Sequence, residues 1–154
     1  MEKYIITREF IDAGGMKEIA VEVPDKPGEL ARVSEALAEH GINIRSISTE
    51  TTGRGMGLIK IVPEGDDEKV ARVLTNARFK VRVNPILVVQ LIDRPGELLK
   101  FAREAFRNGL NISSVTVIGN VPKGRSGRPE TTLAVRVDNF ARAEKALKPY
   151  VVNK

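Results

Sequence analysis

Asp25-Lys26-Pro27-Gly28-Glu29-Leu30 returns as Asp93-Arg94-Pro95-Gly96-Glu97-Leu98, and Gly41-Ile42-Asn43-Ile44 returns as Gly109-Leu110-Asn111-Ile112. Both blocks are displaced by the same 68 positions, so the stretch between them has one length in both copies. Independent chance matches would not share an offset, and the chain reads as one unit written twice.

Around the first pair of blocks, the aliphatic run from Ile19 to Val23 predicts a strand that stops at Pro24, which cannot donate to a ladder. Asp25 to Gly28 supply turn chemistry, with Pro27 suited to a first helical turn. Leu30, Val33, Ala36 and Leu37 then recur at helical spacing until Gly41 closes the helix. Alternation from Ile42 through Thr52, a glycine-rich turn at 53–57 and a second run from Leu58 to Pro63 predict a hairpin. A helix starts within 64–67 with Val70, Val73 and Leu74 as its apolar stripe, and Phe79 to Val83 alternate as a closing strand.

The second copy repeats the series: strand 86–92, helix 96–108 with Leu98, Phe101 and Ala105 inward, strands 110–119 and 131–137, and helix 140–147. Its closing strand is stunted, since only Tyr150-Val151-Val152 remain. The unassigned run Tyr4-Ile5-Ile6-Thr7 is expected to pair with a sheet edge, beside that short strand.

The order βαββαβ with right-handed crossovers predicts an α+β chain of two tandem ferredoxin-like units, each an antiparallel sheet carrying its helices on one face. The expected division is an N-terminal extension with a short strand over 1–18, a first domain over 19–84 and a second over 85–154. A unit of this size buries only about 60% of the surface its unfolded chain exposes, so a homo-oligomer, dimer or larger, is expected.

Several function classes fall away. With no cysteine there are no disulfides, thiolate metal sites or cysteine nucleophiles, and the single histidine, His40, lies at a helix end without partners for a metal. No cofactor and no metal are expected. Gly53-Arg54-Gly55-Met56-Gly57 precedes a strand, whereas a phosphate loop must open a helix. The recurring acids Asp25, Glu29, Asp93 and Glu97 flank turns without a nucleophile or base beside them, so no catalytic activity is expected. Charged residues among the first ten leave no apolar signal core and no run is long enough to span a bilayer, which points to the cytoplasm and to no membrane partner.

The net charge of +5 is uneven. Residues 1–84 hold 13 basic and 14 acidic side chains, while residues 85–154 hold 12 and 6, with Lys123, Arg125 and Arg128 in the longest loop. A solvated basic face is the simpler reading. Nucleic-acid binding is the alternative, but base-stacking modules need aromatics on central strands, and only Phe79 and Tyr150 on outer strands are offered here.

The repeated corner carries the chemistry. Asp25 and Asp93 are placed to accept from first-turn amides of the following helices, while Gly28 and Gly96 leave such amides reachable from outside. A ligand carboxylate would find the amides, and a ligand ammonium would find Asp25, Asp93 or the side-chain carbonyl of Asn43 or Asn111, expected to converge on the loop. The plainer alternative is that these residues only cap helices, turn the chain and bond local backbone.

The Asp-x-Pro-Gly-x-Leu turn and the Gly-Ile/Leu-Asn-Ile strand start, present twice, resemble the ACT domain, a small regulatory module of amino-acid metabolism. The resemblance covers about residues 19–152. It implies units that pair edge to edge or back to back and bind an amino acid or similar small effector at an interface. The contacting positions it implies are Asp25, Lys26, Pro27, Gly28, Glu29, Leu30, Asn43 and Ile44, and then Asp93, Arg94, Pro95, Gly96, Glu97, Leu98, Asn111 and Ile112. The length leaves no room for a catalytic domain, so the chain is expected to act through ligand-dependent assembly or through a regulated protein partner. A purely structural oligomerisation module shares every packing argument.

Overall fold

The computed structural model describes residues 16–151, which fall into two compact units: one from Lys17 to Asn84 and a second from Pro85 onward that also takes in Met16. The expected N-terminal strand at Tyr4 to Thr7 lies outside the described residues.

The first unit runs β1 (Lys17–Pro24), α1 (Glu29–Ala38), β2 (Ile44–Gly53), β3 (Met56–Pro63), α2 (Asp67–Asn76) and β4 (Lys80–Pro85). Its sheet has the order β2-β3-β1-β4, the arrangement expected of a ferredoxin-like unit. Ile19, Val21 and Val23 of β1 and Ile59 and Ile61 of β3 face one side, where Val33, Ala36 and Leu37 of α1 and Val70 and Leu74 of α2 close the core. The hairpin is tighter than its glycines suggest. Arg54 and Gly55 alone form the turn at φ 54° and 72°, the two left-handed residues that match the strand twist.

The second unit runs β5 (Leu87–Ile92), α3 (Glu97–Arg107), β6 (Ile112–Val121), β7 (Glu130–Val137) and α4 (Phe140–Ala146). Among the described residues its sheet has three strands in the order β5-β7-β6. The closing strand shrinks to one bridge between Val89 and Val151, plus a bond from Gln90 N to the Tyr150 carbonyl at 2.9 Å. Phe101 stands where the first copy has Val33, and its ring meets Tyr150 edge-on at 5.4 Å, so an aromatic pair packs where the strand is short.

Helix ends follow sequence expectation. Gly41 and Gly109, at φ 64° and 66°, let Ile42 and Leu110 bond back to Leu37 and Ala105 and stop α1 and α3. Helix α2 starts at Asp66, whose carboxylate accepts from Lys69 N at 3.0 Å. No helix among the described residues is long and apolar enough to cross a membrane.

Candidate functional site

Each β-to-α corner is built by conformation. The N-caps of α1 and α3 are Gly28 and Gly96 at φ 94° and 90°, with no side-chain cap, and Arg32 N and Lys100 N make the first helical bonds to their carbonyls. Asp25 and Asp93 therefore do not cap the helices, as three residues of turn separate them from the first helical turn. Pro27 and Pro95 likewise precede the cap and do not occupy the first turn. Both corners are pinned to the hairpin loops opposite: Asp25 N bonds Gly55 O and Asp93 N bonds Pro129 O, each at 2.9 Å. Asp25 Oδ2 also accepts from Thr51 Oγ1 at 3.4 Å.

Glu29 and Glu97 turn out to be the buried charges of the corner. Each opens its helix, where the partial positive charge of the N-terminus favours a carboxylate. Glu29 accepts from Arg32 Nη1 at 2.9 Å with Lys26 Nζ at 3.7 Å, and Glu97 accepts from Arg94 Nε at 2.6 Å and Lys100 Nζ at 3.0 Å. The bonds from Lys100 and then Arg94 hold the Glu97 carboxyl below its ordinary pKa. The legible signal is an acid at the first helical position with a base three residues later.

A cleft opens beside each corner, between the helix start and the outer strand of the hairpin. The first, about 240 Å³, is lined by Asp25, Lys26, Glu29 and Leu30 on the corner side and by Thr49, Glu50 and Thr51 of β2. The second, about 260 Å³, is lined by Asp93, Arg94, Glu97 and Leu98 and by Val115 and Val117 of β6. Both are below the roughly 300–1,000 Å³ of drug-sized sites and suit a small metabolite. The expected inward placement of Leu98 is corrected: Leu30 and Leu98 are 48% and 54% exposed, because first-turn side chains project past the sheet and over the cleft. The strand residues of the clefts escaped the sequence reading, although alternation along β2 and β6 puts Thr49, Thr51, Val115 and Val117 on the helix side, while Glu50 turns to the other face and pairs with Lys60 at 3.4 Å.

The asparagines do not join these clefts. β2 starts opposite Pro63 and ends opposite Met56, and Pro24 pairs with Met56, so Asn43 and Ile44 lie at the far end of the sheet from Asp25. The helix reverses the chain, and its ten residues carry the strand start about 15 Å away. Asn43 Nδ2 bonds Glu64 Oε2 at 2.8 Å, while Asn111 N donates to Asp138 Oδ1 at 3.1 Å, with Ile112 following it at the same far end of β6. The expected convergence of loop and asparagine therefore fails within a unit.

The other features named in the sequence have packing roles. His40 Nδ1 donates to the Ala36 carbonyl at 2.9 Å. Arg32 covers the Phe79 ring at 5.1 Å and Tyr150 meets Phe101, so both outer-strand aromatics are engaged. In the basic loop, Ser126 N donates to the buried Glu130 carboxylate at 2.8 Å and, as the leading cause, holds its pKa low. Arg125 reaches the Tyr150 carbonyl at 3.5 Å.

Residues 17–79 match the ACT domain family. The first unit is an ACT domain. A probable acetolactate synthase small subunit of Archaeoglobus fulgidus is 46% identical over 57 residues, 36% of this chain and 36% of that protein, so the match spans about a third of the relative. Among solved structures, a Bacteroides thetaiotaomicron protein superimposes with a TM-score of 0.76 at 18% identity, over 90% of this chain and 92% of that one. The ligand-free regulatory subunit of aspartate kinase from Thermus thermophilus gives 0.59 at 20% identity, over 87% and 89%. At these identities the likeness shows the fold, which extends through both units. The second unit repeats the ACT corner and its first three strands.

Proposed function

We propose that this chain is a regulatory amino-acid-binding protein without catalytic activity of its own, with one effector cleft at each repeated corner. The observation that carries the reading is the rim shared by both clefts: a carboxylate followed by a cation, Asp25-Lys26 and Asp93-Arg94, in the turn that leads into the helix. An α-ammonium suits the aspartate, and an α-carboxylate suits the Lys or Arg together with amides that Gly28 and Gly96 leave uncovered. The walls then select side chains. Thr49 and Thr51 favour a polar ligand in the first cleft, while Leu98, Val115 and Val117 favour an aliphatic one in the second.

The names of the relatives, small and regulatory subunits of amino-acid enzymes, support this class of role. The chain acts on a partner through a ligand-dependent change in assembly or contact, to the extent that the ligand distinguishes the two states. Asn43, Ile44, Asn111 and Ile112 contribute only if another copy brings them to a corner.

Thermal-shift titration against the twenty amino acids tests the reading. A ligand at 100 times its Kd adds about 2.7 kcal/mol and raises Tm by several degrees. Gly28→Val and Gly96→Val lower the unliganded Tm through the strained φ near 90°, and are expected to weaken ligand affinity, read as Kd, well beyond the loss in Gly28→Ala and Gly96→Ala. Equal losses would mean that the glycines serve the backbone alone.

A further inference from the structure

By the repeat, Gly119 of β6 corresponds to Thr51 of β2, since 51 and 119 differ by the common offset of 68. The hydrogen-bond ladders place it differently. In the first unit Thr49, Glu50 and Thr51 pair in turn with Ile59, Leu58 and Gly57 of β3. In the second unit Val117 pairs with Leu133, Gly119 with Thr132 and Asn120 with Thr131. β6 therefore spends two residues, Ile118 and Gly119, where β7 spends Thr132 alone, a β-bulge that moves everything after it along by one place.

The inner strands agree with the shift. Gly57 lies between Thr51 and Val23, while Thr131 lies between Asn120 and Leu91, which stands 68 positions after Val23. Asn120 thus holds the place of Thr51 in the second unit. That place overlooks the corner: Thr51 lines the first cleft, and its hydroxyl reaches the Asp25 carboxylate at 3.4 Å. Asn120 is exposed on the same helix-side face, and its cross-strand partner Thr131 lines the second cleft, so Asn120 stands at that rim. Without the bulge, alternation would turn Asn120 to the opposite face and leave Gly119, with no side chain, in its stead.

The exchange alters the chemistry of the rim. Thr51 spends its hydroxyl proton on Asp25, whereas neither the Asp93 carboxylate nor the Asn120 carboxamide has a side-chain partner among the described residues. The carboxamide oxygen is an acceptor with two lone pairs, carried further from the strand than a hydroxyl. Beside a carboxylate it completes a seat for an ammonium, which has three N–H donors to place. The aliphatic walls, Leu98, Val115 and Val117, offer such a group nothing.

We propose that Asn120 is a specificity-determining residue of the second cleft. Its carboxamide oxygen and the Asp93 carboxylate together receive the α-ammonium of an aliphatic amino acid. They set it apart from the 2-oxo acid with the same side chain, which has no ammonium to place. The proposal rests on the reading of the clefts as amino-acid sites and adds the residue that recognises the amino group.

Calorimetric titration of the full chain with L-alanine, L-valine, L-leucine and L-isoleucine, each beside its 2-oxo acid, tests it. The amino acid that binds the wild type best is expected to lose about tenfold in affinity with Asn120→Ala, the scale of one hydrogen bond to a charged group. Tm should stay unchanged, because Asn120 is exposed. The 2-oxo acid should bind the wild type more weakly and respond to Asn120→Ala by less than about twofold, having lost no bond. Asn120→Asp keeps an oxygen at the same reach and should hold the amino acid within about threefold of the wild type. If none of the four amino acids binds the wild type below millimolar Kd, the reading of the clefts fails and the role of Asn120 with it. If Val117→Asp weakens a bound amino acid and Asn120→Ala does not, the cleft stands and the role of Asn120 alone is overturned. Equal weakening of amino acid and 2-oxo acid by Asn120→Ala overturns it as well, and so does binding indifferent to both Val117→Asp and Asn120→Ala, which would put the ligand elsewhere.

Discussion

The two units have the same corner and were given different means of completing a sheet. Among the described residues the first has four strands and a two-residue turn between β2 and β3, while the second has three strands, a single bridge at Val151 and a loop of eight residues between β6 and β7. Beside that single bridge, side chains fill in, with Phe101 against Tyr150 and with Glu130 gathering the loop. The lesson is that duplication preserved the corner, where backbone geometry is demanding, and let the periphery and the cleft walls diverge.

The sharpest way to break this comparison is Phe101→Ala. It is expected to cost about 3–5 kcal/mol, against about 1–2 for Val33→Ala, which removes far less buried surface. Hydrogen exchange should locate the loss of protection in residues 85–151 and spare 17–84. Equal loss in both units would mean that they unfold as one.

The loop comes next. A Cβ on Gly124 would collide with the Glu130 carboxylate, so Gly124→Ala is expected to cost about 1–3 kcal/mol, as overpacking does. Glu130 and Glu97 both have lowered pKa values when folded, so the stability they contribute is full above the ordinary glutamate value of 4.5 and is lost as pH falls through their folded values. Denaturant titrations from pH 7 to pH 3 should therefore show Glu130→Gln less stable than wild type at neutral pH, with the gap narrowing in acid. A gap that holds constant would remove the carboxylate from the account.

The corner itself should respond alike in both units. Gly28→Ala and Gly96→Ala meet no neighbouring atom but must hold φ near 90°, so each is expected to cost about 1–2 kcal/mol. The smallest effect has the opposite sign. Arg78 closes α2 at φ 68°, where α1 and α3 use Gly41 and Gly109, and Arg78→Gly is expected to raise stability by up to about 1 kcal/mol in chemical denaturation.

Element order, the glycine stops of α1 and α3, the stunted last strand and the corner were legible because each follows from local chemistry or from the repeat. Leu98 was misplaced because periodicity reports a helix face and not where the sheet beneath it ends. Asp25 and Asp93 were misread as caps because a left-handed glycine can start a helix with no side-chain acceptor. Asn43 and Asn111 were drawn to the wrong end because a repeated motif signals shared structure before it signals proximity; only the antiparallel register separates the two.

The central claim is that matched corners bind amino acids while unmatched walls choose among them. Calorimetric titration of the wild type and of Val117→Asp with each of the twenty amino acids tests it most directly. The account predicts an aliphatic amino acid bound below millimolar Kd, weakened at least tenfold by Val117→Asp at unchanged Tm. Binding of none of the twenty below millimolar, or aliphatic binding indifferent to Val117→Asp, would contradict it.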